Sequence, residues 1–149
     1  MKYLISIMVV LFSFNVYALD KIDNIIKVGD GDTITIKVNE QIKTIRLLDI
    51  DCFENKNNDR AKWQSYQYHK SIGDVLRLGN QSQYILDNIL KRNRDRLYID
   101  MRNKDFFGRT LGYVYYKNEN ELININHYML ESGKCLKFKS KPRNWKDNL

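Results

Sequence analysis

The stretch from Arg46 to Glu54, RLLDIDCFE, sets an arginine ahead of a short apolar run and then crowds Asp49, Asp51, Cys52 and Glu54 together. Upstream, Gly29-Asp30-Gly31-Asp32 ends on another acid. Carboxylates held close repel and raise one another's pKa, so such a cluster needs a proton or a cation to relieve it. Asp32, Asp51 and Glu54, with a backbone carbonyl and waters and no histidine or thiolate nearby, suit a hard ion, Ca²⁺ or Mg²⁺, rather than zinc. Arg46, and Arg109 in the turn FFGRT, add two guanidinium groups. Two arginines can hold a phosphodiester by charge-assisted, bidentate hydrogen bonds and stabilise the charge that accumulates at phosphorus. Each part also has a structural reading. GDGD is an ordinary turn in which Asp30 bonds its own backbone, and each arginine can pair with a neighbouring acid.

These residues meet only if the elements around them place them together. Ile34, Ile36 and Val38 alternate with Thr33, Thr35 and Lys37, the period of a half-buried strand, and an earlier strand carries Ile22, Ile25, Ile26 and Val28. Asn39-Glu40 makes a two-residue hairpin loop, and 42–48 returns as a third strand. Asp32 enters the second strand while Asp51 and Glu54 lie just past the third, so hairpin pairing brings the carboxylates together. The segment 55–80 loses periodicity and reads as a long surface loop with at most a short helix. A helix is predicted from Ser82 as N-cap, with Ile85, Leu86, Ile89 and Leu90 on one face. Strands follow at 97–101 and 111–116. A last helix runs from Asn124, with Ile125, Tyr128 and Met129 inward, to Gly133. The order β-β-β-α-β-β-α gives an α+β chain, mainly a five-stranded Greek-key β-barrel of the OB type with two or three helices.

The chain has 149 residues and a formal charge of +7. Lys2, the apolar run 4–14 and Val16-Tyr17-Ala18 predict a signal peptide over 1–18. The run is shorter than the roughly 20 residues of a membrane span, the other reading of it. Cleavage removes one lysine and no acid, taking the charge from +7 to +6. That excess suits a polyanion: nucleic acid, anionic lipid or acidic glycan, although a merely solvated basic face accounts for it equally. The remainder divides into a single domain, 19–136, and a basic tail, 137–149. Cys52 and Cys135, the two cysteines of an exported chain, are expected to form a disulfide, with two buried thiols as the alternative. Two cysteines and two histidines, His69 and His127, show no zinc-ligand spacing.

The segments VGDGDTITI, IRLLDIDCFE, DFFGRTLGYVYY and ININHYMLESGKC resemble the successive signatures of the thermonuclease family, the staphylococcal-nuclease-like secreted nucleases. They fall in the family's order and at similar spacing over roughly 22–136. The resemblance implies an OB-like barrel and a nuclease using one Ca²⁺ ion to cleave DNA and RNA, leaving 3′-phosphates. A monomer acting on single-stranded or frayed DNA or RNA is expected, periplasmic or secreted and without stable membrane association once the signal peptide is removed. The calcium ligands fall on Asp32, Asp51 and the Cys52 carbonyl, with Asp30 at an acidic position near the metal. The residue that activates or orients water falls on Glu54, and the phosphate-binding arginines on Arg46 and Arg109. Phe107, Lys62, Trp63 and Lys70 are expected to contact substrate by stacking or charge, and Arg60 and Arg77 to steer it. Two departures stand out. The usual threonine-proline before the glutamate is Cys52-Phe53, and a lysine-tyrosine pair before glycine-arginine is Phe106-Phe107. A rival of a different class is a non-catalytic OB-type nucleic-acid-binding module. Another is a basic envelope protein whose acids bind Ca²⁺ for stability alone. A pure binder gains little from three carboxylates beside a phosphate.

Overall fold

The computed structural model describes residues 18–138. The expected leader up to residue 17 and the tail from 139 onward lie outside the described residues. β1 (Asp20–Lys21) is a short edge; β2 (Asn24–Val28), β3 (Thr33–Val38) and β4 (Gln41–Leu47) form an antiparallel meander. In β3, Ile34, Ile36 and Val38 are fully buried while Thr33, Thr35 and Lys37 are half-buried, the expected period of two. Asn39 and Glu40 adopt φ of 49° and 62°, the left-handed pair that a type I′ hairpin turn needs. The turn fixes the register, with Thr33 opposite Arg46.

A second hairpin, β6 (Leu97–Lys104) with β7 (Thr110–Asn118), joins the first because β7 lies parallel to β4, with Arg46 opposite Leu111. The resulting sheet runs β1-β6-β7-β4-β3-β2, and a further short strand, β8 (Glu121–Asn124), pairs with β7. All five expected strands form, and the α+β, OB-like class holds. Among the described residues no ladder joins β1 to β2.

A separate two-stranded ladder, which the sequence pattern did not reveal, pairs Ile50–Cys52 (β5) with Cys135–Lys137 (β9). Cys52 lies opposite Cys135, and the two form the expected disulfide across 83 residues of sequence. Lys137, expected in the tail, is the last residue of β9, and the Phe138 amide donates to the Asp49 carbonyl at 3.0 Å.

The segment 55–80 is not a loop. α1 (Asp59–Gln67) is capped by Asn58, and α2 (Ile72–Arg92) starts eleven residues before the expected point, capped by Ser71 rather than Ser82. The buried face of α2 is Val75, Gly79, Ser82, Leu86 and Leu90, a helical period in which glycine and serine replace apolar residues. Backbone packs there. A Cβ at Gly79 would collide with the Glu54 carbonyl, and one at Gly31 with the Ser82 side chain. Ser82 is therefore an interior contact, its hydroxyl donating to the Gly79 carbonyl at 2.9 Å.

α3 (Ile125–Glu131) starts at its expected cap, Asn124, and Gly133 follows with φ 70°. Ile125 and Met129 are buried, but Tyr128 faces solvent and Asn126 takes the inward position. Asn126 accepts from the Val114 amide and donates to the carbonyls of Leu48 and Gly112, at 3.0–3.1 Å, tying α3 to β7 and to the end of β4. No helix among the described residues is long and apolar enough to cross a membrane.

Replacing both cysteines, Cys52→Ser with Cys135→Ser, should lower the unfolding free energy by about 2–5 kcal/mol. Chemical denaturation measures this, and an unchanged midpoint would show that the short β5–β9 ladder closes without the bridge.

Candidate active site

A cleft of about 630 Å³ opens where the β3 entry, β4, the β4–β5 turn and the β6–β7 turn converge. Asp32, Arg46, Asp51, Glu54 and Arg109 all line it, as do Asp30, Arg60 and Phe107. The hairpin register sets Asp32 beside Arg46: one guanidinium nitrogen lies 2.9 Å from Asp32 Oδ1 and the other 3.6 Å from Asp51 Oδ1. Arg46 also donates to the Leu47 carbonyl at 3.1 Å. Asp51 Oδ2 takes a second guanidinium, that of Arg60, at 2.5 Å. Arg109 reaches the cleft from a turn built on one side chain. Asp105 accepts from the amides of Phe107 and Arg109 and, at 2.7 Å, from Arg109 Nε. Burial works against ionisation of Asp105, but these hydrogen bonds prevail and hold its carboxyl below the usual range.

Asp32 is almost fully buried, and its Oδ2 accepts from the Cys52 amide at 2.7 Å. Burial pushes its carboxyl well above the ordinary carboxylate range, against the lowering by Arg46, and the nearby charges of Asp30 and Asp51 push the same way as burial. Glu54 is also raised, chiefly by burial, against a hydrogen bond from Asn58. Six carboxylates, Asp30, Asp32, Asp49, Asp51, Glu54 and Asp105, line the cleft against the guanidiniums of Arg46, Arg60 and Arg109. The donors are all oxygen, the chemistry of a hard cation. Among the described residues no group of three or more carboxylate, imidazole or thiol side chains is placed to hold a metal ion. Arginines occupy Asp32 Oδ1 and both oxygens of Asp51 instead, and the Cys52 amide takes Asp32 Oδ2.

Other expected contacts differ. Trp63 is 2% exposed and cannot stack on a base; it packs edge-on to Tyr68, and the Arg60 guanidinium lies 4.1 Å from its ring centre. Its position on the inner face of α1 decides this, because a surface helix buries its largest apolar side chain. Lys62 and Lys70 are exposed but outside the cleft wall. Arg77 pairs with Asp74 on the surface of α2. Phe107 is 79% exposed at the cleft mouth, edge-on to Phe106, with Arg109 5.6 Å from its ring centre.

Sequence reasoning missed three groups: Asn58 and Gln64, which contact Glu54, and Arg60 as a partner of Asp51. The only signal available was the helical spacing of Ala61, Gln64 and Tyr68 within an otherwise polar segment.

The raised pKa of Asp32 means that the folded chain holds this proton more tightly than the unfolded one. Its contribution to stability is therefore present below the unfolded value near about 3.9 and is lost as pH climbs through the folded value. Asp32→Asn keeps the size and an oxygen that can accept from the Cys52 amide. In ion-free protein at pH 7 it should raise Tm, an advantage that vanishes toward pH 4. A lower Tm at both pH values would show that pairing with Arg46 outweighs the cost of burial.

The family described as staphylococcal nuclease homologue matches residues 44–148, a span holding Arg46, Asp51, Glu54 and Arg109 but not Asp30 or Asp32. The chain is also similar to an uncharacterized protein of Methanocaldococcus jannaschii, 31% identical over 119 residues, covering 73% of this chain and 55% of that one. An uncharacterized endonuclease of Escherichia coli is 26% identical over 133 residues, covering 89% and 71%. A micrococcal nuclease of Shigella flexneri is 28% identical over 114 residues, covering 73% and 53%. The chain thus spans about half the length of the first and last of these relatives. With the family matched over more than half of its residues, the chain belongs to the staphylococcal nuclease homologues.

Proposed function

We propose that this protein is an exported, Ca²⁺-dependent nuclease that hydrolyses phosphodiester bonds of DNA and RNA. The observation that carries this reading is the convergence of Asp32, Asp51, Glu54, Arg46 and Arg109 on one cleft, in a chain of a nuclease family. The acid excess of the cleft wall supports a cation, since a bound phosphodiester adds negative charge to six carboxylates. Asp32, Asp51 and the Cys52 carbonyl would hold the Ca²⁺, the carbonyl keeping a lone pair beside the hydrogen bond it accepts from Gln64. Bound there, the ion supplies Lewis-acid polarisation of a phosphoryl oxygen.

The side chains do the rest. Arg46 and Arg109 donate to the phosphoryl oxygens and stabilise the charge that grows on them in the transition state. Glu54 accepts the proton of the attacking water as its oxygen bonds to phosphorus. The bond from phosphorus to the 5′ oxygen breaks, that oxygen takes a proton from solvent, and a 3′-phosphate remains. Phe106 and Phe107 offer exposed rings to unpaired bases, which favours single-stranded or frayed substrates. The signal-peptide pattern of 1–18 and the Cys52–Cys135 bridge support an oxidising compartment, periplasmic or extracellular.

Incubating the chain with plasmid, single-stranded DNA and RNA in Ca²⁺ and in chelator tests the proposal. Cleavage should occur with Ca²⁺ alone, and persistence in chelator removes the metal role. Glu54→Gln should lower kcat by roughly 10²- to 10⁴-fold, and Arg109→Ala by roughly 10²- to 10³-fold. A Glu54→Gln variant that cleaves at the normal rate removes the assigned base. Oligonucleotide binding to the Glu54→Gln protein should weaken steeply with added salt, as measured by fluorescence anisotropy.

A further inference from the structure

The backbone that carries Glu54 lacks the proline usual at this point, and helix α1 supplies a different restraint. Gln64, 1% exposed, accepts from the Glu54 amide with Oε1 at 2.9 Å and donates from Nε2 to the Cys52 carbonyl at 3.0 Å. One carboxamide thus grips the Cys52–Glu54 segment as a neighbouring strand would. Asn58, at the N-cap, divides its own carboxamide: Oδ1 accepts from the Ala61 amide, and Nδ2 donates to Glu54 Oε2, both at 2.8 Å. Gly79 brings α2 against the Glu54 carbonyl, and the disulfide ties Cys52 to β9.

We propose that Gln64 and Asn58 are positioning residues for hydrolysis: Gln64 clamps the main chain of Cys52–Glu54, and Asn58 aims the Glu54 carboxylate at the attacking water. The inference rests on the nuclease reading of the cleft. Stability alone accounts poorly for Asn58, which is exposed and needs only one oxygen to cap the helix, a role that serine or aspartate fills equally. Its second hydrogen bond engages Oε2 and leaves the other carboxylate oxygen for water. Placing a base to within a fraction of an ångström is where such contacts act on rate.

Asn58→Ser keeps a capping oxygen and removes the amide donor, so the helix should persist at an unchanged Tm. It should lower kcat by roughly tenfold while KM stays within about twofold. Gln64→Met keeps the length and loses both hydrogen bonds; kcat should fall by roughly 10- to 100-fold, again with little change in KM. Independently of activity, amide hydrogen exchange at Glu54 should quicken in Gln64→Met. Unchanged kcat in Asn58→Ser, or a loss confined to KM or accompanied by a matching fall in Tm, overturns the proposal. Wild-type protein that fails to cleave in Ca²⁺ overturns the nuclease reading and this proposal with it. Active wild type beside fully active variants overturns the positioning role alone.

Discussion

Arg46 stands between Asp32 and Asp51, 2.9 Å from one and 3.6 Å from the other, with all three side chains nearly closed to solvent. Removing ions from water costs several kcal/mol each unless charge and hydrogen bonds compensate. The surroundings therefore have to deliver compensation at fixed points: the Cys52 amide to Asp32, the Leu47 carbonyl to Arg46, the Arg60 guanidinium to Asp51. Register is the underlying constraint. A one-residue slip of β4 against β3 would turn Arg46 to the opposite face, and the left-handed turn at Asn39-Glu40 forbids it.

The cleft is acidic on a chain that is cationic overall, and the two properties act at different ranges. Under the proposed function, the excess of positive charge, +7 for the full sequence, would draw a polyanionic substrate within the screening length of the solution. At contact, the six acids of the cleft wall oppose it. Arginines resolve part of this conflict, and a divalent ion on the same oxygens would resolve more.

The second shared dependence is on close backbone approach. β5 and β9 have only three residues each, so the strand carrying Asp51 draws its order from neighbours: the disulfide, Gln64 from α1 and the glycine of α2. Helix α2 lies against the Glu54–Asn55 main chain that follows β5 only because position 79 lacks a side chain. This is also why its apolar stripe is broken in the sequence, and why its first eleven residues show no clear hydrophobic period.

By itself the sequence determined the long strands, the hairpin turn and the start and stop of the last helix, because those depend on local period and turn chemistry, and it singled out Asp32, Arg46, Asp51, Glu54 and Arg109, which line one cleft. Ile34, Ile36 and Val38 must face inward whatever surrounds them, and no arrangement of this chain could make Asp32, Asp51 and Arg46 anything but acids and a base in want of partners. Only the tertiary structure decided that 55–80 folds as two helices, that Trp63 is interior, that Asn126 rather than Tyr128 turns inward, and that Asn58 and Gln64 grip Glu54. Those outcomes are set by contacts between segments far apart in the chain, where a glutamine's hydrogen bonds or a missing Cβ outweigh any preference a local window can register.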